Sequence, residues 1–113
     1  MPTEMRQIAF KQAEIARALI EYDRRRTLQF PVGGVKHIEI VDDPEIRALV
    51  TINTMAGEAI DVIVGPEPLA AALILFCINQ KIPLPVEADK RLQKVGDGVA
   101  LFVVKRHTVS RPS

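Results

Sequence analysis

His37 and Glu39 stand two residues apart in the segment Val35 to Val41, where aliphatic and polar side chains alternate. On an extended strand that spacing puts an imidazole and a carboxylate on one face, where together they can take up and return a proton. Asp42 and Asp61, on neighbouring segments of the same expected sheet, could join them. The chemistry needs a cleft that holds a substrate against the pair. On an open sheet face the same side chains are only solvated.

Other reactive types are thinly supported. Cys77 lies inside the most apolar stretch of the chain, with no nearby cation to lower its pKa, so it reads as a small core residue. His37 and His107 are far apart, and no His-x3-His, His-Glu-x-x-His or Cys-x-x-Cys spacing occurs, so no metal or cofactor is expected from motif. Gly33-Gly34 lacks the further glycines of a phosphate-binding loop and precedes a strand, so it reads as a turn. The two serines are Ser110 and Ser113, and there is no Gly-x-Ser-x-Gly, which argues against a serine hydrolase. Aromatic residues make up 4% with no Trp, a poor set for stacking on bases or sugars.

Lys90, Arg91 and Lys94 fall in the segment Val86 to about Val95, expected to be a short helix. A helix-turn-helix would send these cations into a major groove, helped by Lys105, Arg106 and Arg111. The intervening Ile82-Pro83-Leu84-Pro85 has two prolines, and Gln93 is a thin base-reading set, so a solvated helix face competes with this nucleic-acid reading.

The elements that must position these residues follow from periodicity. Thr3 can cap a helix from about Glu4 to Arg26, with Met5, Ile8, Ala9, Ile15, Ala16, Leu19 and Ile20 on one arc at 100° per residue. Phe10 lies off this stripe, which leaves it for another chain. Strands are expected at Val35 to Val41, Ile46 to Thr54 and Ala59 to Val64, joined by short turns into an antiparallel meander. A helix then starts near Pro68 and runs to about Lys81. It is apolar all round through Ile78, which calls for enclosure on every side and puts Leu75 in the core. Gly96-Asp97-Gly98 turns the chain into a last strand, Val99 to Lys105, apolar on both faces as an interior strand would be.

The expected fold is therefore α+β: two layers, a mainly antiparallel four-stranded sheet in the order α-β-β-β-α-α-β, with helices packed on one face. Residues 1–107 are expected to form a single domain and 108–113 a flexible tail.

Composition bounds the function. The 113 residues are 48% hydrophobic and 26% charged, with a net charge of +1, which demands neither a nucleic acid nor a membrane. The longest apolar run, Leu69 to Ile78, is half what a spanning helix needs, and the start of the chain has no secretory pattern, so a cytoplasmic address is expected. Charge is segregated: residues 28–80 carry −5 and residues 81–113 carry +4. The leading expectation is a non-catalytic binding or adaptor domain that docks an unknown protein partner on an acidic meander and pairs with itself as a homodimer. Met5, Ile8, Phe10, Ile15 and Leu19 of the first helix would form the interface. A nucleic-acid-binding regulator using Lys90, Arg91 and Lys94, and an enzyme using His37 and Glu39, are the alternatives.

Overall fold

The computed structural model describes residues 3–26, 30–84 and 89–106. The chain runs β1 (Thr3–Phe10), α1 (Gln12–Arg26), β2 (Gly33–Val41), β3 (Arg47–Thr54), β4 (Ala59–Val64), α2 (Pro66–Asn79), β5 (Asp89–Val95) and β6 (Gly98–Arg106). It is an α+β fold with two antiparallel three-stranded sheets in place of one four-stranded sheet. The meander β2-β3-β4 is one; the other, in the order β1-β6-β5, joins the first strand to the last two.

Two elements differ in type from the sequence expectation. The segment expected to begin a long helix is strand β1, paired with β6 from Thr3↔Arg106 to Phe10↔Val99. Met5, Ile8 and Ala9 have helical spacing, but the backbone of β6 offers this segment a full antiparallel ladder, and tertiary pairing overrides a weak local preference. The helix starts afresh at Gln12, where the Glu14 carboxylate accepts from the Lys11 N–H at 2.8 Å, the reciprocal arm of a capping box. The expected helix after Pro85 is also a strand over Asp89–Val95; residues 85–88 lie outside those described, as do residue 107 of the expected domain and the expected tail 108–113. β5 turns into β6 through the two-residue loop Gly96-Asp97, with Gly96 at φ 59°, a conformation that favours glycine at the first loop position.

Both sheets and both helices feed one apolar cluster: Phe10, Ile15, Leu19, Ile38, Ile40, Val50, Ile52, Leu69, Leu73, Phe76, Leu101 and Val103 are among its buried members. The helices pack on each other and touch strands of both sheets. Phe10 and Phe76 meet edge to face at 6.1 Å, and the Arg17 guanidinium lies 5.5 Å above the Phe76 ring. Gln12 ties the sheets together: its side-chain amide donates to the Ile38 carbonyl of β2 at 2.8 Å and to the Asp97 carbonyl of the β5–β6 loop at 3.0 Å. Arg6 donates to the Pro83 carbonyl at 2.9 Å, fastening β1 to the segment after α2.

Candidate functional site

The described residues with chemical potential are not gathered into a cleft. His37 and Glu39 project from the outer face of β2, and both are exposed. Register puts His37 opposite Thr51, and Thr51 opposite Asp61, so the three form one row across the meander. The Thr51 hydroxyl donates to the Asp61 carboxylate at 2.8 Å. Glu39, Asp42, Asp43, Glu45, Glu58 and Asp61 are all exposed around this sheet. It is an acidic, solvated surface, and among the described residues nothing encloses a substrate against the His37–Glu39 pair. Among the described residues, no group of three or more His, Cys, Asp and Glu could hold a metal ion.

Lys90, Arg91 and Lys94 lie on β5, an edge strand, and not on a recognition helix. Strand alternation sends Lys90 and Lys94 to one face and Arg91 to the other, so the three cannot enter a groove together as one helix face. Lys90 is half-buried. Arg91 instead lines a shallow groove of about 500 Å³ on the outer face of its sheet, with Met5, Asp89, Leu92, Gln93, Phe102 and Val104. That groove explains the apolar residues on both sides of β6: Val99, Leu101 and Val103 face the core, while Phe102 and Val104 line the open face.

The residues expected at a self-association surface are placed differently. Phe10, Ile15 and Leu19 are 3%, 0% and 0% exposed and belong to the chain's own core. Ile8 is half-buried against that core, and only Met5, at 65%, is open to solvent. The physical reason is the break at Lys11: β1 and α1 each bury an apolar face against the same cluster, so no long stripe is left overhanging.

One apolar surface left open is on α2; others are the β6 groove beside Met5 and the single exposed side chains of Val32, Met55 and Ile63. Leu69, Ala72, Leu73, Phe76 and Cys77 make the buried side of α2. Ala71, Ile74 and Leu75 are half-buried and Ile78 is 61% exposed, so the helix is enclosed on one side and not around its whole circumference. With Tyr22 and Arg25 of α1, these four residues line a groove of about 320 Å³ between the helices. At 100° per residue, Glu67, Ala71, Ile74 and Ile78 fall within about 60° of arc, a single stripe along the helix. Its ends differ in charge: exposed Glu67 stands in the first turn, while exposed Arg24, Arg25 and Lys81 surround the other end. Glu21 and Asn79 bridge the helices there, with Asn79 donating at 3.2 Å. Sequence reading missed this site although its signal was present: an all-apolar helix in a small chain needs more cover than one thin layer can give.

Among the described residues no helix is long and apolar enough to cross a membrane. Compared with known proteins, the chain matches no family model, no curated protein and no solved structure.

Proposed function

We propose that the protein is a non-catalytic binding domain that associates with itself through its helical layer. One observation carries the reading: α2 is apolar from Leu69 to Ile78, yet the fold covers only one side of it. An apolar helix side in water costs free energy for every Å² left open, and a second apolar surface recovers it. The acidic outer face of the meander, centred on Glu39 and Asp61, remains free in this arrangement and suits a partner that presents basic groups. A lone buried thiol suits the reducing cytoplasm expected for such a domain.

Light scattering on the wild-type chain and two variants tests the proposal. Ile78→Glu places a carboxylate in the open stripe and should weaken association by about tenfold or more while leaving the circular dichroism unchanged. Ile63→Glu, on the exposed outer face of β4, should leave the mass unaltered. Equal masses for wild type and Ile78→Glu across the concentration range would remove the helical layer as the contact surface.

A further inference from the structure

The stripe on α2 is self-complementary in only one orientation, and this gives the pairing geometry; the inference rests on the self-association proposed above. We propose that two copies meet about a two-fold axis that crosses α2 between Ile74 and Leu75, with the two α2 helices antiparallel. The partner's Ile78 would then seat over Ala71, and Glu67 would face the cationic end formed by the partner's Arg25 and the partner's Lys81.

Shape and charge both select this arrangement. The stripe is small at Ala71 and large at Ile78. Antiparallel pairing centred at Ile74 and Leu75 sets each small residue against a large one, so the helices stay evenly spaced along the contact. Parallel pairing would set the partner's Ile78 on Ile78 and the partner's Ala71 on Ala71, a wedge open at one end. It would also bring Glu67 against the partner's Glu67, and the Arg24, Arg25 and Lys81 cluster against its own copy. Like charges meeting at both ends disfavour that orientation, while the antiparallel one joins opposite charges and opposes the helix dipoles. Glu67 lies about 11 Å from the axis by the helical rise of 1.5 Å per residue, and Asn79, the last residue of α2, about 7 Å on the other side, so Glu67 falls just beyond the partner helix's end, beside the turn that carries the partner's Lys81. The groove supplies the remaining wall, because Tyr22 and Arg25 of α1 flank the stripe where the partner helix would lie.

Disulfide trapping and charge exchange test the geometry, with sedimentation run alongside as the measure of association. Cys77→Ala serves as the background, so that each variant carries one thiol. Ile74→Cys or Leu75→Cys, beside the axis, should give a covalent dimer under mild oxidation. Glu67→Cys should give none, because its two copies would lie about 22 Å apart, far beyond disulfide reach. Glu67→Lys and Arg25→Glu should each weaken the dimer by about fivefold, and the double variant should recover most of that loss. Covalent dimers from Glu67→Cys, none from Ile74→Cys or Leu75→Cys, or charge effects that add without recovery would overturn the antiparallel geometry while leaving self-association standing. A wild-type chain that sediments as a monomer at every concentration would overturn both.

Discussion

Leu73 and Leu75 are two positions apart in the same apolar run and have different surroundings. Leu73 is fully enclosed, whereas Leu75 lines the open groove. Leu73→Ala should therefore cost about 2–5 kcal/mol of unfolding free energy, because it empties a packed site. Leu75→Ala, measured at concentrations that favour single chains, should cost roughly half as much or less, since part of that side chain already meets water. Chemical denaturation of the two variants checks the order, and a reversed order would mean that the open side of α2 is misassigned. Cys77 gives a second test at this scale. Burial pushes its thiol pKa up, because the enclosed site disfavours the thiolate. The folded state then keeps a proton that the unfolded chain releases at high pH. The contribution of this group is fully present at neutral pH and is lost as pH rises past the ordinary thiol range of about 8.5. Wild type should lose stability over that interval more steeply than Cys77→Ala, and a thiol reagent should label native protein only as fast as it opens.

Among the elements, the meander was legible in the sequence and the second sheet was not. Ile46 to Thr54 alternates because one face of β3 is buried, with α2 packed on it, while the other is only half-covered. A period of two then admits one local answer. β1 carries Met5, Ile8 and Ala9 at spacings that also suit a helix, and what decides its form is β6, more than ninety positions away along the chain. β5 has Lys90, Arg91 and Lys94 within one short run, which disguises an edge strand as a polar helix face. The Gly96-Asp97 loop followed by an apolar strand was its visible sign, and the strand on the near side of that turn had to pair back. The candidate surface was legible in composition, since the apolar run of α2 was plain, but which side stayed open depended on α1, whose true start was hidden. Gly98 tests the strand arrangement. A Cβ there would fall 2.3 Å from the Phe10 carbonyl oxygen, a backbone atom that cannot swing aside. Gly98→Ala should cost about 1–3 kcal/mol in thermal or chemical denaturation, and a neutral result would contradict the close approach of β1 to the start of β6.

The whole molecule is two small sheets that share one core, and neither is thick enough to enclose α2 alone. Their relative placement is fixed by the helix pair and by Gln12, which donates to both sheets at once. Gln12→Ala should lower stability by about 1–3 kcal/mol and raise amide exchange both in β2 and around the β5–β6 loop, because two carbonyls lose a shared donor. Charge is distributed on the same scale, with an acidic meander on one side and cations gathered at the far end of the helical stripe. Arg25 borders the open side of α2, which either water or another chain must cover. Sedimentation equilibrium of the wild-type chain over a wide concentration range reads this directly. Pairing through α2 requires a mass that rises with concentration to twice that of one chain; a mass that stays at one chain throughout would rule it out.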